Sequence, residues 1–484
     1  MNLITRAVDK TGLDGQVVAA KAVVADGNSG VVPARAGAAA WGIGAARIVY
    51  GRFELARSLP ATILVSIFIQ AVNLGSGVVL ARALGPSSRG DLAIAMLWPT
   101  LIAGVGGLGI AEAITYYTGR DGERSGEVLS SALLVGIVQS VILLAAGWLL
   151  VPHLLAGKPS GVLDVTRLYL WIIPLFPLTL YPLAVLQGKL LVGRFNLARA
   201  SVHVMYTAAL ITLWGVHAVT VHSALEASLL ATILTFVLTF WLVTTRVHIR
   251  LVSLAVVRSL LSYGAKLHLG NVAALIAQRV DLLALTFLAS SAALGNYVVA
   301  SAMGAGAALI PSAVSTVLFP LFSKRESDAV PKGVARFVLL AGAVTVIAAP
   351  FLALVLPWVL PFLFGPAFAA ARATSMILVL AYLIRGWNQM LSSILRGTGR
   401  PIAASVGELG GLVVMTAFLV ALVPRSGAYG AAIAVLIGAC SMFAWVGFQT
   451  LRGSRLTRKR LLSYWSADIA AFRHLIRHPH APRS

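Results

Sequence analysis

The sequence predicts an all-α polytopic membrane protein of about twelve transmembrane helices in two parallel six-helix bundles, and three observations predict it. The first is composition. Of 484 residues, 59% are hydrophobic and only 11% charged, with mean hydropathy +0.90, whereas soluble domains are about a quarter charged. The second is the recurrence of apolar runs near the roughly 20 residues that a helix needs to cross hydrocarbon, separated by short connectors. The third is an internal echo. Shifting the chain by about 205 positions lays ASSAALGNYVVA, from Ala289, over LGPSSRGDLAIA, from Leu84, so that Gly295 meets Gly90 and Ala300 meets Ala95. The same register carries Pro311 onto Gly106 and Arg325 onto Arg120, which indicates a duplication.

Residues 1–57 contain no span. Lys21, Asp26, Asn28 and Gly30 interrupt the one mildly apolar segment, and no apolar core with a small-residue cleavage site follows a basic start. This extension is expected to be cytoplasmic and disordered or interfacial, with Arg47, Arg52 and Arg57 among apolar residues suited to a membrane surface. The first six-helix repeat is expected over 58–249, with spans at 59–84, 90–118, 127–151, 168–188, 196–217 and 223–245. The second is expected over 250–452, with spans at 262–288, 294–322, 334–363, 370–395, 401–423 and 428–450. The tail, 453–484, carries Arg455, Arg458, Lys459, Arg460, Arg473 and Arg477. It reads as a basic cytoplasmic segment, either an amphipathic helix on an anionic leaflet or a positive stop.

Alternate connectors differ in charge. One set holds Arg120, Arg124, Lys189, Arg194, Arg199, Arg246, Arg250, Lys324, Arg325, Arg396 and Arg400 among others; the opposite set holds little beyond Arg89, Lys158, Arg372 and Arg425. A bias of roughly four to one places both termini in the cytoplasm of a bacterial cytoplasmic membrane. An even number of spans per half makes the halves parallel repeats about an axis along the membrane normal.

The net charge of +22 would suggest nucleic acid in a soluble chain. Here the cations sit in connectors and the tail, so they orient the protein and no nucleic-acid partner is expected. Cys440, the one cysteine, falls in an apolar run and reads as a small buried hydrophobe. The nine histidines lack ligand spacing, and no metal site is indicated. Gly104-Val105-Gly106-Gly107-Leu108-Gly109 matches GxGxxG but lies inside a span, without the strand and acidic residue that a dinucleotide site needs. Its meaning is mechanical: Gly106 and its repeat mate Pro311 are paired helix interruptions, expected as hinges beside a central cavity.

Charges inside spans are rare and tend to face a protein interior or wet cavity. Arg82 ends the first span, Glu112 lies in the second, Arg279 and Asp281 in the seventh, Arg385 in the tenth and Glu408 in the eleventh. On a regular helix Arg279 and Asp281 lie about 200° apart and face different neighbours. Arg82, Arg279 and Arg385 are candidates for substrate binding, since a guanidinium stays charged when desolvated and forks a phosphate. For Arg279 and Arg385 the competing reading is structural ion pairing, and Arg82 is near enough to the interface to snorkel. Glu112 and Asp281 are candidates for coupling or structural charge.

These features resemble the polysaccharide-export branch of the multidrug, oligosaccharidyl-lipid and polysaccharide exporter superfamily, the Wzx-type O-antigen and teichoic-acid flippases. The carrying segments are LARALGPSSRGDLAIA from Leu80, QRVDLLALTFLASSAALGNYVVASAM from Gln278, PSAVSTVLFPLFSK from Pro311 and SSILRGTGRPIAAS from Ser392. The resemblance implies two bundles rocking about a V-shaped cavity. It implies transfer of a polyprenyl-diphosphate-linked oligosaccharide repeat unit between leaflets for cell-surface polysaccharide, with membrane lipids as further partners. Polymerase or glycosyltransferase machinery would act alongside. No cofactor is implied, and proton or sodium coupling stays open. By position, Arg82, Arg279 and Asp281 inherit an expectation of functional charge, and Arg396 and Arg400 one of organising a connector. The alternatives are a multidrug or cation antiporter, a lipid II flippase of the same superfamily, and a non-transporting scaffold. An enzyme of polysaccharide assembly would need a large external loop, and the longest expected external connector is Pro152 to Arg167.

Overall fold

The computed structural model describes residues 35–307, 351, 355 and 358–453, with side-chain surroundings from residue 61 to 452. The chain divides into two units, Met1–Ala61 and Thr62–Ser484. The described part of the first is helical from Arg35. Pro311, the residues around it and the basic tail lie outside the described residues.

Twelve α-helices are described: α1 Arg35–Val105, α2 Ile110–Arg120, α3 Ser125–Leu154, α4 Ser160–Tyr169, α5 Ile172–Gly188, α6 Val192–Gly215, α7 Val221–Thr244, α8 Leu254–Ala277, α9 Val280–Leu288, α10 Ser291–Ala307, α11 Ala371–Gly397 and α12 Pro401–Gly453. Five described stretches are long and apolar enough to cross a membrane, and the α8–α9 pair makes a sixth. Two of the five, Ala61–Val105 and Pro401–Arg452, have 45 and 52 residues. At about 1.5 Å per residue each is twice the length a bilayer accepts. Each is broken once, at Gly85 (φ 71°, ψ 177°) and at Gly427 (φ 53°, ψ −126°), torsions that only glycine adopts without strain.

Large apolar side chains stand exposed on the outer faces, among them Leu149, Val237, Trp241, Val413 and Val420. A soluble protein would hide these; hydrocarbon solvates them. Cys440 is exposed as well, so the buried position expected for it is corrected. Tyr297, Phe364, Phe368, Leu92 and Ile94 are fully buried between helices.

Two interruptions position the site. The first is the glycine cluster: the second span stops at Val105 and restarts at Ile110, with Leu108 (φ 50°) and Gly109 (φ 66°) in left-handed torsions. Gln139 of α3 donates through Nε2 to the Gly106 carbonyl at 3.1 Å, and Tyr181 donates to Gln139 Oε1 at 2.7 Å. A side chain thus satisfies an acceptor at the break. The second lies in the seventh span, where α8 ends at Ala277, α9 begins at Val280 and the two are bent by 52°. α8 packs on α2 and α3, whereas α9 packs on α10 and α12. Before its break the span packs on helices of the first half; after it, α9 packs on helices of the second and also meets the first half where Phe287 touches Trp98.

Candidate functional site

The break in the seventh span sits where two cavities meet. A cavity of about 290 Å³ is lined by Gly106, Glu112, Gln139, Tyr181, His268 and Gln278, so it lies between helices of both halves. A second, of about 590 Å³, is lined by Gln278, Tyr382, Arg385, Asn388, Glu408 and Met415. Gln278 belongs to both. It ends α8, and Arg279 follows it in non-helical torsion (φ −126°, ψ −1°).

The regular helix on which Arg279 and Asp281 would lie about 200° apart is therefore absent at this point, and local geometry separates the two differently. Arg279 is exposed at the break. Asp281 is only 5% exposed and sits in the first turn of α9, where the helix dipole favours a carboxylate. Its Oδ1 accepts from the Leu282 amide at 2.8 Å and its Oδ2 from the Tyr297 hydroxyl at 2.6 Å.

Arg385, half-buried on α11, holds its guanidinium 5.5 Å from the Tyr382 ring centre and places Nη2 3.3 Å from Met415 Sδ. Tyr382 lies within electrostatic reach of Asp281 and Arg279 as well as touching Arg385. Among the described residues neither Arg279 nor Arg385 makes an ion pair with a carboxylate. Glu408, which also lines this cavity, is held by Arg396 at the start of the following connector. The arrangement can take an anion: Arg385 lines the larger cavity and Arg279 stands at the break, neither ion-paired among the described residues, and the carboxylates of Asp281 and Glu408 are occupied by a tyrosine and another arginine.

Arg82 is placed apart from the other two arginines. Its Nε donates to the Leu363 carbonyl at 2.7 Å and its Nη2 to that of Phe362. It thereby closes the carbonyl end of the helical turns 358–364 from across the halves. Glu112 faces the cavity between the halves, and Gly106 lies at the glycine break already described.

Several site residues were not singled out from the sequence: Gln139, Gln278, Tyr297 and Tyr382. Gln139 carried a legible signal, since it is an amide in an otherwise apolar run, VGIVQSVILL. For Tyr297 and Tyr382 no periodicity ties them to Asp281, because the partners stand on different helices.

With this geometry in hand, comparison with known proteins is informative. A family model described as "polysaccharide biosynthesis protein" matches residues 55–326. The chain belongs to the polysaccharide biosynthesis protein family. A search of curated proteins gave no match. Among solved structures, the chain is similar to a multidrug resistance MATE family transporter of the MOP superfamily in an inward-facing conformation. Identity is 18%, coverage 84% of this chain and 99% of that one, and TM-score 0.63. It is similar to the lipid II flippase MurJ in an inward closed conformation, at 15% identity, 88% and 94% coverage and TM-score 0.58. It is also similar to a MOP superfamily transporter from Pyrococcus furiosus, at 16% identity, 83% and 96% coverage and TM-score 0.56. The fold is that of polytopic membrane transporters.

Proposed function

We propose that this protein is a flippase that moves a polyprenyl-diphosphate-linked oligosaccharide repeat unit across the cytoplasmic membrane. The observation that carries the reading is Arg385 in the lining of the larger cavity, unpaired by a carboxylate among the described residues, with Arg279 at the seventh-span break one position after Gln278, which lines both cavities. Two guanidinia suit a diphosphate, which offers oxygen pairs to each fork. The amide-bearing lining, Gln278 and Asn388, suits a saccharide, and the polyprenyl tail can remain in hydrocarbon. A cationic drug would meet two positive charges here with Glu408 already paired, so the charge balance favours the anionic cargo over the multidrug alternative.

In this reading the halves are parallel repeats that rock against each other, with 58–249 and 250–452 as the moving bodies and both termini in the cytoplasm. The broken seventh span transmits the motion, since α8 packs on α2 and α3 of the first half while α9 packs on α10 and α12 of the second. Gly106 and Pro311 act as hinges. Arg82 fastens the external end of the halves, and Asp281 with Tyr297 stiffens the base on which Arg279 stands. Glu112 is the carboxylate open to the cavity between the halves and carries any coupling charge. The protein does no chemistry of its own, and a polymerase or glycosyltransferase works on either side of it.

The test is reconstitution. Vesicles containing the purified protein and a fluorescent polyprenyl-diphosphate saccharide should lose the one-leaflet asymmetry of that lipid, read with a membrane-impermeant quencher. Protein-free vesicles, and vesicles with Arg279→Gln/Arg385→Gln, should keep it. Equal scrambling by the double variant would remove the arginine assignment.

A further inference from the structure

The first half holds a chamber of its own. It measures about 530 Å³ and is lined by residues of all but the third of the first six spans, among them Asn73, Arg89, Thr100, Tyr169, Tyr206 and Ser228. Among the described residues Arg89 is the one fixed charge in this lining, and none of them there is a carboxylate. Arg89 Nε is shielded from solvent and has no hydrogen-bond partner, and the same is true of the Tyr206 hydroxyl. The two groups nonetheless stand close enough to act on one another electrostatically. Tyr169 is satisfied, by Ser228 Oγ at 3.1 Å.

Buried polar groups are ordinarily paired, and a desolvated cation without a counter-charge is costly, so two neighbouring exceptions ask for a common cause. Two donors line one chamber, and no protein acceptor there comes within hydrogen-bond distance of either. An oxygen-bearing anion meets both needs, because a carboxylate accepts the guanidinium fork and a phenolic hydrogen together. The volume falls within the roughly 300–1,000 Å³ of small-molecule sites, well beyond what a halide fills. The remaining lining pairs hydroxyls and an amide, Asn73, Thr100 and Ser228, with the aromatic rings of Tyr169 and Phe176. That mixture suits a hydroxylated ring with one polar edge and one apolar face. Phe176 and Leu180 line both this chamber and the cavity between the halves, so the two are neighbours across α5.

We propose that the first half contains a binding site for a carboxylate-bearing, hydroxylated ligand of monosaccharide size, with Arg89 holding the carboxylate and Tyr206 donating to it. The site is separate from the Arg279 and Arg385 cluster and stands whether or not the protein moves a diphosphate-linked lipid. Its ligand is either a free sugar acid or an acidic residue within a longer saccharide.

The full-length protein in lipid nanodiscs is titrated calorimetrically with glucuronate, its methyl glycoside, glucose and chloride at constant ionic strength. Glucuronate or the glycoside should bind saturably, and glucose and chloride should not. Arg89→Gln should weaken binding about tenfold or more, as expected when a charged hydrogen-bond partner is lost. Tyr206→Phe should weaken it less, and Arg385→Gln should leave it unchanged. Glycoside binding as tight as that of the free acid identifies a residue held in a chain; binding of the acid alone identifies a free sugar acid. As a check that needs no change at Arg89, Thr179→Cys is labelled with maleimide in a Cys440→Ser background, and glucuronate should slow the labelling. Absence of glucuronate and glycoside binding, displacement by chloride at equal concentration, labelling indifferent to glucuronate, or binding that survives Arg89→Gln each overturns the proposal.

Discussion

Gly90 and Gly295, which occupy the same place in the two copies of the repeated segment, pack against each other's surroundings at one end of the molecule. A methyl group on Gly90 would fall on the Ser291 backbone, and one on Gly295 would fall on the Pro86 carbonyl, 3.0 Å from the Gly90 nitrogen. Reciprocal contact between equivalent positions is what a local two-fold axis between the repeats requires. Around it Lys158 Nζ donates to the Ala289 carbonyl at 3.3 Å, Trp98 meets Phe287 edge-on at 5.5 Å, and Arg82 reaches across to Phe362 and Leu363. The halves are thus closed together at this end.

Gly90→Ala and Gly295→Ala should each destabilise the closed junction. Overpacking against backbone that has little room to move costs about 1–3 kcal/mol. Thermal melting in nanodiscs should fall for both variants, and maleimide labelling of a Ser291→Cys reporter in a Cys440→Ser background should accelerate. An unchanged melt would mean that the glycines are not needed for the approach.

Arg82→Ala should lose the two bonds to the carbonyls of Phe362 and Leu363, lowering stability by about 1.5 kcal/mol, the low end for charged hydrogen bonds because the side chain is exposed. Arg82→Lys should not restore it, since a single ammonium cannot reproduce the planar fork. Melting of the two variants side by side checks this, and full rescue by lysine would reduce the contact to charge alone.

Tyr297→Phe should remove one of the two hydrogen bonds that hold the Asp281 carboxylate, at a cost of about 1–3 kcal/mol for a buried acceptor left short. The effects of Tyr297→Phe and Asp281→Leu should be non-additive, with a coupling of about 0.5–3 kcal/mol in a double-mutant cycle. Additive losses in the melts would show that the pair does not act as a unit.

Arg385→Gln should leave membrane abundance near normal while cutting transport at least about tenfold, as loss of a charged contact to phosphate predicts. Arg385→Lys should recover part of the activity, because charge survives and the fork does not. Quantified surface polysaccharide beside an immunoblot of the membrane fraction separates transport from expression.

Much of this architecture was legible before any coordinates. Long apolar runs fix helices by length alone, and Gly106 advertised its break because glycines cluster there within an apolar span. The bend at Gln278 and Arg279 was not legible. No proline or glycine marks it, and nothing in QRVD distinguishes a regular turn from one pulled apart by packing on two halves. The sequence grouped Arg82 with Arg279 and Arg385 because all three are arginines in apolar surroundings, yet Arg82 finds its partners about 280 positions away, whereas Arg385 contacts Met415, 30 positions on, and the ring of Tyr382. Arg89 was read only as a stray cation of a connector, since burial between spans leaves no trace in local composition.

The central claim, transfer of a lipid-linked saccharide by way of Arg279 and Arg385, is tested most directly in cells lacking the gene, by probing the lipid-linked saccharide with an impermeant periodate or lectin. The saccharide should accumulate beyond the probe's reach, the native gene should restore exposure, and Arg279→Gln/Arg385→Gln at equal abundance should not. Normal exposure of the saccharide in the deletion strain, or rescue by the double variant, would contradict it.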